Sequence, residues 1–299
     1  MSTAEPSYDL GPALPPWDMS GVAWIFPIYT PFSETPVPLP AGSYAPLEQD
    51  GPGDQSSRFH GGVGTVFIIR YDASAVGPYD ELIYAPGLFS RTKTGDDKPT
   101  YDMSITRIYV SADASTINGR KNWSIPKHRA IFTWTDAPNG GTLVSVSHSS
   151  SPSSPFFRAI LRNSALTPFS IPISTSMLQW RLSKALMHGY QAKLYQPPLS
   201  GAFEVSEDKR EEAKKAGQNP DALVGNKNAY TLEPTAKAWS RIVLIEVAPA
   251  EKGKEVLTGF GDGVRFPEFK VAVEGPLKGR GVHLTSMKMN FPHGVVVQD

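Results

Sequence analysis

The chain has 299 residues, 40% of them apolar and 19% charged, so it can bury a sizeable core and is not a disordered tract. Its 29 basic and 29 acidic residues cancel, which leaves no global field to draw it to nucleic acid or to an anionic membrane. Having no cysteine, it excludes disulfides, thiolate metal sites and a cysteine nucleophile, and it favours a reducing, cytoplasmic setting.

The first residues show neither the basic start nor the apolar run of a secretion signal. No run approaches the roughly 18 apolar residues of a membrane span. Ten of the 28 prolines fall in residues 1–50. Proline lacks an amide donor and disfavours helix in the residue before it, so 1–20 are expected to form an extended arm, with a short strand compatible at 22–29. From about residue 64 onward, runs rich in branched and aromatic residues predict strands at 65–70, 105–110, 130–134, 142–148, 241–247, 269–273 and 282–290. Most lack a clean polar face, which implies burial on both sides. Residues 176–188 read as a helix, with Met177, Trp180, Leu182, Ala185 and Leu186 near a 3.6 period and Gly189 as a stop. Residues 206–216 read as an exposed, ion-paired helix inside an insertion near 204–230. No repeat, domain boundary or βαβ rhythm is visible. The expected fold class is therefore mainly β, one domain over 21–299 built on a large antiparallel sheet, either a cone-like barrel or stacked sheets.

Lys127 ends the run Gly119, Arg120, Lys121, Asn122, Trp123, Ser124, Ile125, Pro126, Lys127, with His128 next. A lysine that condenses with a ketone must be neutral, and a free lysine with a pKa near 10.4 is only ~0.04% neutral at pH 7. An apolar pocket or a nearby cation raises that fraction. Trp123, Ile125 and Pro126 offer the apolar wall; Arg120, Lys121, His128 and Arg129 offer cations. Alone, Lys127 reads as an ordinary surface lysine after a proline turn, one of 29 basic residues in the chain. A second run earlier in the chain holds Asp72, Ser74, Gly77, Tyr79 and Glu81. A carboxylate opposite a reactive amine can shuttle protons during dehydration of the carbinolamine. Alone, Glu81 reads as a solvated turn glutamate.

Together and in this order, the two runs resemble the two active-site segments of the acetoacetate decarboxylase family. The strand expected at 105–110 matches the one between those segments, and Met289 to Val297 is loosely similar to the family's closing strand. The resemblance covers 64–150 and the C-terminus, and says little about 1–60 and 190–240. It implies a cone-like barrel and a homo-oligomer without cofactor. It also implies a Schiff base on Lys127 with a small-molecule ketone or β-keto acid, Glu81 facing that lysine, and carbon–carbon lyase chemistry. Arg70, Tyr79, Arg120, Trp123 and His128 are the candidate substrate-binding residues.

Two positions depart from the family pattern. His128 stands where the decarboxylase has a second lysine, and it reads either as an acid–base group or as a strand residue turned away. Thr30 falls near the family's arginine for the substrate carboxylate, and no arginine precedes Arg58. Arg70, Arg107 and Arg120 are substitutes, although ion pairing within the fold is the commoner use of such residues. The departures point away from acetoacetate, and the apolar, proline-rich extensions suggest a larger ketone of a biosynthetic pathway. An aldolase, dehydratase or cyclase using the same imine is the enzymatic alternative, and a small-molecule binding protein on the same scaffold is the non-enzymatic one. The six histidines show no metal-ligand spacing, and the run from Gly259 to Gly263 lacks dinucleotide spacing.

Overall fold

The computed structural model describes residues 11–92, 98–164, 169–175, 193–248, 259–269, 271 and 279–297. The chain is mainly β, with a large, nearly closed, barrel-like sheet. Ten strands form its path. In path order they are β7 (Lys127–Arg129), β6 (Arg107–Val110), β3 (Tyr79–Ala85), β2 (Gly62–Ala73) and β1 (Trp17–Thr30), followed by β15 (Arg280–Phe291), β14 (Thr235–Val247), β10 (Phe157–Asn163), β9 (Thr142–Ser147) and β8 (Ile131–Asp136). An eleventh strand, β11 (Ile171–Ser174), pairs with β14. Strands β7 and β8 are separated in sequence only by Ala130 yet lie at opposite ends of the path, so the sheet curls until its ends meet. A second sheet runs β16 (Val295–Val297), β13 (Ala229–Leu232), β12 (Leu194–Gln196), β5 (Thr100–Met103) and β4 (Leu88–Arg91).

Alternation along the long strands separates two cores. On β2, Val66 and Ile68 face one cluster, which also takes Phe26, Leu82, Val144 and Phe157 from around the path and so fills the inside of the curled sheet. Their neighbours Ile69 and Tyr71 face the other cluster, with Met19, Ala23, Leu284 and Met287. Burial on both faces explains why these strands lack a polar stripe.

The expected strands at 65–70, 142–148, 241–247 and 282–290 fall on β2, β9, β14 and β15, and those at 105–110 and 130–134 overlap β6 and β8. The helix at 206–216 is α2 (Glu207–Lys215), carrying exposed pairs Arg210–Glu207 and Lys214–Glu211. The helix expected at 176–188 lies outside the described residues, as do 270, 272 and 273 of the strand expected at 269–273; Phe269 and Val271 are not in a strand. No described helix is long and apolar enough to cross a membrane.

Three features differ from expectation. Strand β1 begins at Trp17, inside the stretch expected to be an arm. Residues just before it are held to the chain's own helix, with Ala13 N–H donating to Asn118 Oδ1 at 2.8 Å and Asn122 Nδ2 donating to Ala13 O at 2.8 Å. Glu81 sits within β3 and not in a turn. A βαβ unit is present after all: β6 and β7 pair in parallel, and α1 (Asp113–Trp123) makes the crossover that a parallel pair requires. The run that ends at Lys127 is therefore a helix, a left-handed cap at Ser124 (φ 54°), and the start of an edge strand.

Candidate active site

Strand register brings the two runs together. In β2–β3 pairing Ile69 lies opposite Glu81, and in β3–β6 pairing Glu81 lies opposite Val110, two residues beyond Ile108, which pairs with Lys127. Lys127 and Glu81 thus share one face of the sheet, on the two strands that flank β6. Lys127 Nζ donates to Glu81 Oε2 at 2.8 Å and to Ser115 Oγ at 3.0 Å, and it lies 5.2 Å from the centre of the Tyr79 ring. Lys127 and Glu81 are each only 4% exposed.

Helix α1 fits this lysine closely. Ser115 and Gly119 are one turn apart on its face toward β7. A Cβ on Gly119 would stand 2.5 Å from Lys127 Cδ and 2.7 Å from Cε, so only glycine lets the lysine stem pass the helix in this path. Trp123 closes the last turn, its indole N–H donating to Pro292 O at 2.8 Å and its ring meeting Trp17 and Phe291 edge-on at 5.0 and 4.8 Å.

The pair opens onto a cavity of about 300 Å³, within the range typical of small-molecule sites. Its walls are chiefly apolar, including Ile25, Phe67, Ile69, Ile83, Leu284 and Phe291. The titratable side chains among its described lining residues are Lys127, Glu81, Tyr71 and Tyr79. Burial, and then the Glu81 charge, push both phenols well above their ordinary range, so both hydroxyls remain donors. Each hydroxyl faces the Glu81 carboxylate and also approaches a sulfur, Tyr71 that of Met289 at 3.8 Å and Tyr79 that of Met19 at 3.9 Å.

Of the expected substrate-binding residues, Tyr79 and Trp123 line this chamber. Arg70, His128 and Arg120 do not. Arg70 pairs opposite Asp80 in the register, one step out of phase with Glu81, and therefore emerges on the other face. There it bonds Asp80 at 3.1 Å and lies over the Trp134 ring at 4.6 Å, its side chain 48% exposed. Arg107 donates to Arg265 O at 2.9 Å and Tyr109 OH at 2.8 Å, also away from the chamber.

His128 follows Lys127 on a strand and so points to the opposite side, where Nε2 and Glu48 Oε2 are 2.9 Å apart. Burial, outweighing the attraction of Glu48, pushes the imidazole below its ordinary value, so it serves as a neutral N–H donor to that carboxylate. Arg120 follows Gly119 on the helix and turns to the same back side. It is fully buried and donates to Glu48 Oε1 at 2.9 Å, Val224 O at 2.9 Å, Ser200 O at 2.8 Å and Lys127 O at 3.3 Å. Burial raises the Glu48 carboxyl, but His128 and Arg120 outweigh it and hold the group at about 2. The charged insertion supplies the rest of this wall, since Gln218 brackets Arg129 by accepting from its N–H at 2.7 Å and donating to its carbonyl at 2.8 Å.

Sequence reasoning missed Ser115, Tyr71 and Glu48, and assigned Gly119 no role. Ser115 and Gly119 carry a signal, their spacing of one helical turn, but it is visible only once α1 is known. Glu48 sits in an irregular, proline-rich stretch without periodicity.

No protein-family model matches the chain. Among curated proteins, Protein NEOXANTHIN-DEFICIENT 1 of Oryza sativa subsp. japonica is 32% identical over 75 residues, which is 25% of this chain and 23% of that protein. The match thus spans under a quarter of the relative's length. Among solved structures, acetoacetate decarboxylase from Legionella pneumophila subsp. pneumophila str. Philadelphia 1 is similar at a TM-score of 0.48 and 14% identity, covering 100% of this chain and 93% of that one. The enduracididine biosynthesis enzyme MppR complexed with pyruvate is similar at 0.45 and 13%, covering 100% and 95%. An acetoacetate decarboxylase-like enzyme from Sphingomonas wittichii RW1 is similar at 0.44 and 11%, covering 100% and 99%.

Proposed function

We propose that the chain is an enzyme that forms a Schiff base between Lys127 and a ketone or related carbonyl compound. The observation that carries this reading is a buried amine at the edge of an apolar cavity, held at 2.8 Å by one carboxylate and at 3.0 Å by one hydroxyl. A lysine kept there for stability alone would be poorly chosen, because a buried ion pair is often no better than apolar packing of the same volume.

The geometry supports the following sequence. A proton passes from Lys127 Nζ to Glu81 Oε2 along their hydrogen bond, leaving a neutral amine. The amine attacks the carbonyl carbon, and its second proton moves to the oxygen to give the carbinolamine. Glu81 returns its proton to that hydroxyl, water leaves, and an iminium forms beside the restored carboxylate. Ser115 orients Nζ, and the Tyr79 ring packs 5.2 Å from it. The iminium is then an electron sink for whichever bond breaks at the adjacent carbon: to carbon dioxide in a lyase, to hydrogen or carbon in a dehydratase or aldolase.

The test is reductive trapping. The protein is incubated with a panel of ketones and keto acids, reduced with borohydride, and mapped by mass spectrometry. An adduct is expected on Lys127, absent in Lys127→Ala, and at least tenfold slower to form in Glu81→Gln, in keeping with loss of general acid–base help of roughly 10²-fold or more. No adduct with any carbonyl compound would leave a binding protein as the better reading.

A further inference from the structure

We infer that the chamber is built for an uncharged, apolar ketone or aldehyde and discriminates against keto acids, so that the imine serves proton transfer at the adjacent carbon and not loss of carbon dioxide. This rests on the imine reading of Lys127 and narrows it to a substrate class.

Charge is the first argument. Among the described lining residues Lys127 is the one cation, and Glu81 already neutralises it at 2.8 Å. Once Lys127 has become an iminium, its positive charge still faces Glu81. A substrate carboxylate would enter beside that glutamate with no second cation among those residues to meet it. An unpaired buried carboxylate is among the most costly groups a site can hold. The three described arginines that the sequence offered for it are turned elsewhere: Arg70 outward to Asp80, Arg120 backward to Glu48, Arg107 to Arg265 O and Tyr109 OH.

The walls are the second argument. Four of the chain's seven methionines, Met19, Met103, Met287 and Met289, line this one chamber. Methionine is unbranched, polarizable and tolerant of shape, and suits an apolar body that is not closely matched to one outline. The neutral donors present, the Tyr71 and Tyr79 hydroxyls, face Glu81 and the sulfurs of Met289 and Met19. They can turn to a ligand oxygen, but they bring no charge to balance a second carboxylate beside Glu81. The site therefore offers neutral donors and, among its described lining residues, no free cation for a charged oxygen.

The chemistry follows. The iminium acidifies the C–H bond next to it. Glu81 takes that proton, the C–H electron pair becomes the enamine double bond, and the nitrogen regains its lone pair. Return of a proton from Glu81 to the same carbon and hydrolysis of the imine restore ketone and lysine. In heavy water the returned atom is deuterium, which makes the cycle visible without a net product.

The test compares ligands that differ only in charge, 2-nonanone and 8-oxononanoate, at neutral pH with the wild-type protein. Lys127 adducts are counted after borohydride reduction, and deuterium entry beside the carbonyl is followed by NMR. We expect 2-nonanone to be trapped and exchanged at least roughly 100-fold faster than 8-oxononanoate, with exchange lost in Lys127→Ala. Equal or faster reaction of the keto acid, or carbon dioxide release from 3-oxooctanoate outpacing exchange into 2-nonanone, overturns the inference while leaving the imine intact. Failure of every compound to label Lys127 overturns the imine reading itself. Met289→Lys provides a second check, since a cation in the wall should shift the preference toward the keto acid. If that variant fails to fold, the wild-type comparison stands by itself.

Discussion

Two buried carboxylates flank strand β7, and they differ in what each can still do. On the back side both Glu48 oxygens are taken, by Arg120 Nη1 and His128 Nε2, each at 2.9 Å. Arg120 also donates to three carbonyls, and its side chain has no exposure at all. On the chamber side Lys127 Nζ uses two of an ammonium's three donors, on Glu81 and Ser115, and borders open volume. Burial of an ion pair does not by itself mark chemistry. The saturated pair is a bracket that joins helix, strand and insertion; the pair beside a void is the one that can exchange a proton and receive a carbonyl carbon.

Breaking each side separately should separate the two roles. The largest effect is expected from Lys127→Ala, which should abolish borohydride-trapped adducts and any exchange, while circular dichroism and the unfolding midpoint show a folded protein. Glu48→Ala leaves Arg120 buried without its carboxylate and should cost about 3–5 kcal/mol in urea unfolding. Retained wild-type stability in that variant would contradict the bracket. The same carboxylate predicts the acid response. Its folded-state value is depressed from 4.5 to about 2, so its contribution is fully present above pH 4.5 and is lost as pH falls through 2, amounting to about 3 kcal/mol. His148 and His283 act in an earlier window. Burial and neighbouring arginines lower both from 6.5 to about 4, so their contribution starts to fall below pH 6.5 and is gone near pH 4. Urea midpoints measured from pH 7 to pH 2 should show both phases, and Glu48→Gln should lack the lower one.

Finer changes sharpen the contrast. Gly119→Ala puts a methyl against the lysine stem, while alanine's better helix propensity offsets roughly 1 kcal/mol of that strain. Stability should therefore change little, yet adduct formation should fall roughly 10–100-fold as Nζ leaves its position. An unchanged trapping rate would remove Gly119 from the site. Arg70→Ala should be the mildest, within about 1 kcal/mol in stability and without effect on trapping, since the residue lies on the far face.

The sequence was legible where a local pattern met a local cause. Branched and aromatic runs marked β2 and β15 because these strands are buried on both faces. The charged run of α2 marked itself because its ion pairs face water. Helix α1 was not legible, since five of its seven buried positions, Ser115, Thr116, Asn118, Gly119 and Arg120, are polar or glycine and only Ala114 and Trp123 are apolar. Arg120 and Asn118 reach carbonyls distant in the chain and Ser115 meets Lys127, partners that no periodicity records. The misplacement of Arg70 has a similar origin. Parity along β2 distinguishes its two faces, but only the pairing of Ile69 with Glu81 says which face is the chamber.

By itself the sequence determined the residue types of the site: a lysine after Pro126, a glutamate after Tyr79, and their order along the chain. The tertiary structure decided that the lysine is buried, that the glutamate 46 positions away meets it, and that Glu48, 80 positions from His128, draws that histidine to the other side. The physical reason is that side-chain direction depends on strand register and helix phase. Both are set by contacts between segments far apart in the chain, where a shift of one residue exchanges the chamber face for the back.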